Sequence, residues 1–366
     1  MIDACDPCLR RAFLVAHLAP RIAGLLTRRK NQRVAGLLSL PEDELLAAAA
    51  GRRVREALAF LDAFDADGCR EDLAASDSVA VCRHAGAYPQ PLLELDDPPA
   101  VLFGAGRAEA LEALRDEPAV AIVGTRRASP YGTEVAYALG RGLGASGLPV
   151  VSGLALGIDG TAHRGCLDGS GLPIAVLACG PDVVYPRRHR SLHRRVREAG
   201  IVLAELPPGT EPFLWSFPAR NRIMAGLARM TVVVEAAQPS GSLITSDFAR
   251  DLGRSVAAVP GRVTSSIARG TNSLLRDGAV PITGTADVLD ELFGVGVRVP
   301  PAVAPPLPRD PLLRAVLAAA EATPSVEAIA GAAGATTAEV RAALGRLEVE
   351  GHLVRRELGG WERVGR

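Results

Sequence analysis

Ala121-Ile122-Val123-Gly124-Thr125-Arg126-Arg127-Ala128-Ser129-Pro130-Tyr131-Gly132 is the stretch whose reading decides the fold. An apolar strand runs into a turn of small residues, and a helix follows over 133–145. Such a turn lets backbone N–H groups face an anion at the helix N-terminus. The spacing is not the GxGxxG of a dinucleotide site, and the Gly-Lys-Ser/Thr of a P-loop is absent. Arg126 falls at the carboxyl end of the strand, where open α/β sheets bind ligands. An ordinary surface arginine after a βα turn would look the same, and position alone leaves the two readings open.

Outward from that stretch, strands and helices alternate from 119 to about 293 at the rhythm of a parallel sheet. The expected strands are 119–123, 149–152, 173–179, 201–205, 231–235, 255–259 and 279–282, with a further helix over 242–252. The fold class is therefore α/β: an extended Rossmann-like, mostly parallel sheet occupying 79–293. Its first part, 79–106, reads as an extended connector with Tyr88-Pro89, Asp97-Pro98-Pro99 and Leu102-Phe103-Gly104. Residues 1–78 read as a helical N-terminal domain of the SAM or helix-hairpin-helix kind, with Pro41-Glu42-Asp43-Glu44 as a good helix start. Prolines 300, 301, 305, 306, 308 and 311 mark 294–311 as a linker. Beyond it, 312–366 reads as three helices and a hairpin joined at Gly359-Gly360, the order of a winged helix.

The 366 residues are nearly half apolar, and 41 basic side chains balance 41 acidic ones. No global field advertises a polyanion partner, so any such site must be local. Lys30 is the only lysine; nearly every phosphate contact would then be a planar, potentially bidentate arginine. The cysteines are Cys5, Cys8, Cys69, Cys82, Cys166 and Cys179. Cys5 and Cys8 form a lone CxxC with no second pair and no nearby histidine to complete a zinc set, so all six read as reduced thiols and no metal is expected. With no leader-like apolar stretch and nothing long enough to span a bilayer, a cytoplasmic protein is expected.

Other loops of the sheet carry similar chemistry. Ser152-Gly153-Leu154-Ala155-Leu156-Gly157-Ile158-Asp159 is a second glycine-rich strand-to-helix turn, where Asp159 reads best as a cap and His163 as structural. Ser240-Gly241-Ser242-Leu243-Ile244-Thr245 offers small hydroxyl residues at a helix start, with Ser242 as a plain cap the compatible alternative. Ser216-Phe217-Pro218-Ala219-Arg220-Asn221-Arg222 puts an aromatic beside two arginines and an asparagine on a turn entering an apolar helix. A ring can stack on any base while guanidinium groups pair with phosphate; a buried Phe with two solvated arginines is the bland alternative. Six arginines between Arg187 and Arg197 form the densest basic patch. Ser152, His163 and Asp159 show no nucleophile elbow or orienting partner, so no catalytic set is expected.

Taken in order with Tyr185-Pro186 and Gly270-Thr271-Asn272, these stretches resemble the DNA-processing protein A family, also called DprA or Smf. The resemblance implies a single-stranded DNA-binding protein of natural transformation that protects incoming DNA. It would help load the RecA recombinase, work as a homodimer and need no cofactor. It implies that Gly124, Thr125 and Arg126 form an anion-binding turn, that Phe217 stacks on bases, and that Arg187 is a basic contact. With Gly153, Arg220, Asn221, Arg222, Ser240, Gly241, Ser242 and Thr245, these make up the expected DNA-binding set. Two positions depart from the family pattern: Leu156 stands where an arginine is usual, and Asp247 where an uncharged residue is.

The competing reading is an enzyme resembling the Rossmann-like nucleotide phosphoribohydrolases, which place a catalytic glutamate on the helix after a proline-glycine-glycine loop. Here the corresponding helix has no acid before Asp247. A third reading, an adaptor gripping nucleic acid through its tail, sits badly with 307–366, where eight basic and eight acidic side chains balance.

Overall fold

The computed structural model describes residues 1–28, 35–301, 307–322, 325–355 and 360–364. Lys30, Pro305, Pro306 and Gly359 lie outside the described residues. Val120–Val123, the strand of the deciding stretch, is β4 of a ten-stranded sheet. The others are β1 Ile2–Asp3, β2 Ser78–Cys82, β3 Val101–Gly106, β5 Val150–Ser152, β6 Pro173–Leu177, β7 Ile201–Ala204, β8 Met230–Val233, β9 Ser255–Ala258 and β10 Val280–Pro281. Their order is β1-β2-β3-β7-β6-β5-β4-β8-β9-β10. All neighbours run parallel except β3, which is antiparallel to both β2 and β7.

Helices α1 Asp6–Arg28, α2 Ala35–Leu38, α3 Glu42–Ala49, α4 Val54–Asp62 and α5 Ala66–Ala75 lie between β1 and β2, and α6 Ala110–Asp116 follows β3. The crossovers are α7 Pro130–Ala145, α8 Ile158–Asp168, α9 Arg190–Ala199, α10 Ser216–Leu227, α11 Gly241–Asp251 and α12 Arg269–Arg276, with α13 Thr285–Phe293 after β10. Alternate side chains of β4 enter opposite faces, as a strand's two-residue period requires. Val120 and Ile122 pack with Leu139 and Leu143 of α7, whereas Ala121 and Val123 join the cluster holding Ile223 and Met224 of α10. A strand buried on both faces has to be apolar throughout, which is why these runs do not alternate.

Two expectations need correction. The connector over 79–106 contributes β2 and β3 to the same sheet. Its proline-rich middle, with Asp97-Pro98-Pro99, forms the return loop between them. Nor do the N-terminal helices stand apart at residue 78, since residues 1–299 form one compact unit. Strand β1 pairs beside β2, with Ile2 opposite Ala80. Leu14, Leu18 and Ile22 of α1 share a cluster with Leu206, Trp215 and Ala219, and the Trp215 indole donates to the Ala19 carbonyl at 3.1 Å.

The second unit, residues 300–366, contains α14 Pro311–Ala322, α15 Val326–Ala333, α16 Thr337–Val349 and an antiparallel pair, β11 Leu353–Arg355 with β12 Trp361–Arg363. Thr336 and Glu339 form a capping box that starts α16. Val316, Ile329, Val340 and Leu347 fill its own small core.

Candidate nucleic-acid interface

From β4 the chain builds outward through β5, β6 and β7, then returns to place β8 on the other side of β4. Val123 lies opposite Val233, so the two strands end level, and Thr125 N–H reaches the Glu235 carbonyl at 2.7 Å. A crevice outside such a reversal in strand order is where open α/β sheets bind ligands. Here it is a cavity of about 290 Å³.

Three loops and one helix supply its walls. Gly124, Thr125 and Arg126 come from the turn after β4, and Ala155 and Asp159 from the turn after β5. Phe217, Pro218, Arg220, Asn221 and Met224 come from α10, and Ser240, Gly241, Ser242, Ile244 and Thr245 from the start of α11. Arg126 is exposed, and its guanidinium carbon sits 4.9 Å from the centre of the Phe217 ring. Tyr185, also exposed, tilts against the other partner of that pair, its ring 5.5 Å from Phe217. Cation, ring and second ring are in contact in series, and the first two line the cavity.

Deeper in, the polar groups are buried and incompletely paired. The Thr245 hydroxyl and the Arg220 Nε have no hydrogen-bond partner. Arg220 donates through Nη1 to the Val176 carbonyl. Burial lowers its pKa below the ordinary arginine value, opposed by Asp159. Asp159 accepts from Gly153 N–H at 3.2 Å; burial raises its carboxyl against the pull of Arg220. Gly153 does not line the cavity. It matters because a Cβ there would stand 1.8 Å from Arg220 Nη1; only glycine lets that guanidinium lie flat on the loop.

The two helix N-termini differ in a way the sequence reading did not foresee. At α7, the place expected to take an external anion, the protein supplies its own. Glu235 accepts from Ser129 N–H at 2.9 Å and from its hydroxyl at 2.5 Å, and a Cβ at Gly132 would strike that carboxylate at 2.2 Å. A charge-bearing residue closing the apolar run of β8 was the signal for it. At α11, Ser240 caps through Ser242 N–H and no carboxylate lines the turn. This N-terminus keeps its positive end toward the cavity.

Arg222 requires another correction. The expected turn Ser216–Arg222 is helix from Ser216 on, and residues two apart on a helix point to nearly opposite sides. Arg222 therefore leaves the cavity and is 1% exposed. It grips Glu205 with two bonds of 2.7 and 2.9 Å, and its Nε meets the Asp97 carboxylate at 2.9 Å. Burial disfavours its charge, but Glu205 and then Asp97 outweigh that and hold its pKa above the ordinary value. Its role is structural. Asn221 bridges instead, donating to the Gly241 carbonyl at 3.1 Å and tying α10 to the α11 turn.

Arg187 is exposed in a short 3₁₀ turn and is not a cavity wall. His189 fastens that turn to the loop after β5 through the Leu154 carbonyl at 2.9 Å. The basic patch is partly neutralised, Arg195 pairing with Asp168 at 2.8 Å and Arg194 with Glu198 at 3.7 Å. His163 is buried and neutral, with burial pushing its pKa down to about 3. Asp247, one of the departures, pairs with Arg250 at 3.5 Å and lies outside the cavity walls. The CxxC was read as isolated; the fold brings Cys82 and His84 to Cys5 and Cys8, all four ligand atoms within 4.8 Å of one another.

The family model described as DNA recombination-mediator protein A matches residues 79–293. A relative from Mycobacterium tuberculosis is 42% identical over 258 residues, covering 69% of this chain and 66% of its own length. The DNA processing protein DprA of Streptococcus pneumoniae is 41% identical over 56% of this chain and 71% of its own length. Among solved structures, the S. pneumoniae DNA processing protein A superposes with a TM-score of 0.61 at 31% identity, covering 78% of this chain and 95% of that one. DNA processing protein A of Helicobacter pylori, whose structure is titled for its single-stranded DNA binding mode, gives 0.51 at 31% identity over 56% of this chain and 92% of that one. Among the described residues, no helix is long and apolar enough to cross a membrane.

Proposed function

This chain belongs to the DNA recombination-mediator protein A family, and we propose from that premise that it binds single-stranded DNA at the crevice beyond β4 and β8. One observation carries the reading: Arg126, Phe217 and the positive end of α11, whose cap carries no charge, converge on a single cavity. Bases stack on Phe217 and Tyr185, which needs no particular sequence. Phosphate takes Arg126 and the Gly241 N–H at the start of α11, with Thr245 and the Arg220 Nε as unspent donors. Since Arg126 covers Phe217 in the free protein, a strand must slide it from ring to phosphate.

The physiological setting that fits is cytoplasmic DNA processing in natural transformation, with the bound strand protected and passed to a RecA-type recombinase. The start of α11 brings Ser242 and Thr245 to the cavity and no acid, which favours binding over glycoside hydrolysis. The 300–366 unit, in the order of a winged helix, serves partner contact. Homodimers form through α12 and the edge strand β10, where Leu275 is only partly buried. A dimeric mass by light scattering at micromolar concentration checks this, and a monomer counts against it. Gel shifts with single- and double-stranded oligonucleotides across a salt series test the main reading. Preference for single strands, weakening steeply with salt, is expected; equal binding to duplex or none to either would refute it.

A further inference from the structure

Strand β1 pairs with β2 in parallel register, Asp3 opposite Val81, so the residues just beyond each strand end come together. Beyond β1 the chain turns into α1, and both Cys8 N–H and Leu9 N–H bond the Cys5 carbonyl at 3.1 and 3.0 Å. At the end of β2 a second tight turn forms, with Ala85 N–H on the Cys82 carbonyl at 2.9 Å. Each turn presents two ligand-bearing side chains to the same point. Cys5 and Cys8 come from one, and Cys82 and His84 from the other.

The spacings are those of a metal's coordination sphere. Bond lengths of about 2.3 Å to sulfur and about 2.0 Å to nitrogen place tetrahedral ligand atoms roughly 3.8 Å apart for two sulfurs and roughly 3.5 Å for sulfur and nitrogen. Here Cys5 Sγ and Cys82 Sγ are 3.9 Å apart. The His84 Nδ1 is 3.5 Å from Cys5 Sγ and 3.4 Å from Cys8 Sγ. A disulfide would need sulfurs in bonding contact at about 2.05 Å, and all of these cysteines are free. Three thiols and an imidazole with no open fifth position form a soft, closed donor set. Such a set selects zinc in a structural site.

We propose that Cys5, Cys8, Cys82 and the Nδ1 of His84 bind one zinc ion that staples the N-terminal segment to the sheet. Cys8 and Cys82 are buried while His84 is exposed, which leaves a path for the ion. Binding replaces the thiol protons with the metal, so uptake releases protons and weakens at low pH. The staple joins two turns 74 residues apart, so its loss would free α1 at the N-terminal edge and leave the strand-end cavity intact.

Elemental analysis of the full chain, purified under reducing conditions without chelator, tests the site. Roughly one zinc per chain is expected, falling at least about tenfold in Cys8→Ser and in His84→Ala and staying unchanged in Cys69→Ser. Cobalt exchanged into the wild-type site should show the charge-transfer and d–d bands of a tetrahedral thiolate centre. Single-strand binding should persist in the depleted protein. Wild-type protein that stays zinc-free after incubation with equimolar zinc, that carries iron instead, or that yields a linked Cys5–Cys82 peptide would overturn the assignment.

Discussion

Arg220 and Arg222 stand two residues apart on α10, and the regions they enter obey opposite electrostatic logic. Around Arg222 the protein has supplied the opposite charges itself: Glu205 and Asp97 close on the guanidinium, and buried Tyr88 bonds the Pro99 carbonyl at 2.9 Å nearby. On the other side, Arg220 and Arg126 share a cavity in which Asp159 is the only acidic wall, and that carboxylate is already held by Gly153. On one side two carboxylates meet the guanidinium, and the unpaired atom left there is an acceptor, Asp97 Oδ2. The other is left with unpaired donors at Arg220 and Thr245. Arginine content alone therefore does not separate the two sides; how fully internal carboxylates engage each arginine does.

The largest test of this contrast is Arg222→Ala. Removing one partner of a buried ion pair leaves the others uncompensated and typically costs about 3–5 kcal/mol. Urea unfolding should register that loss, and Arg222→Lys should recover little of it because a point charge cannot reproduce the two-pronged grip. Unchanged stability would erase the distinction between the two sides.

Arg126→Ala should do the reverse, weakening single-strand affinity tenfold or more while stability stays put. A hydrogen bond from a charged group is worth about 1.5–3 kcal/mol, and exposed Arg126 has only the Phe217 ring to lose. Phe217→Ala should cost about 1–3 kcal/mol of binding for the lost stack and leave the salt slope nearly untouched. Because the two side chains touch, the double variant should lose less than the sum of the single losses. If Phe217→Ala chiefly lowers the melting temperature, the ring belongs to the core.

The smallest effect expected is from removing residues 307–366, which should change single-strand affinity by no more than a few-fold. Its charges balance, and Arg346 of α16 is engaged by Glu350 at 3.3 Å and Asp310 at 3.7 Å. Abolished binding, with the remaining unit folded, would move the site to the tail.

Much of the sheet could be read from the chain because its parallel strands are short, apolar on both faces and bounded by glycine turns. The Gly124-Thr125-Arg126 and Ser240–Thr245 loops could be placed for the same reason: each follows such a strand. What escaped depended on partners distant in sequence. Arg222 looked like Arg220 until Asp97, 125 residues away, and Glu205 were seen around it. The anion at the α7 terminus is Glu235, 106 residues from Ser129. The Cys5–Cys8 pair lacked its other half because Cys82 lies 77 residues on, across five helices that no local pattern could fold back. Strands β2 and β3 were hidden by the proline-rich loop between them.

The central claim, that the crevice beyond β4 and β8 is where phosphate is held, is tested most directly by one paired titration. Wild-type and Arg126→Ala proteins would be titrated with a labelled single-stranded oligonucleotide over a series of salt concentrations. The wild-type logarithmic slope should be steeper than that of the variant by roughly 0.7, the share of one phosphate contact on a single strand. Identical slopes and affinities within twofold would contradict the account.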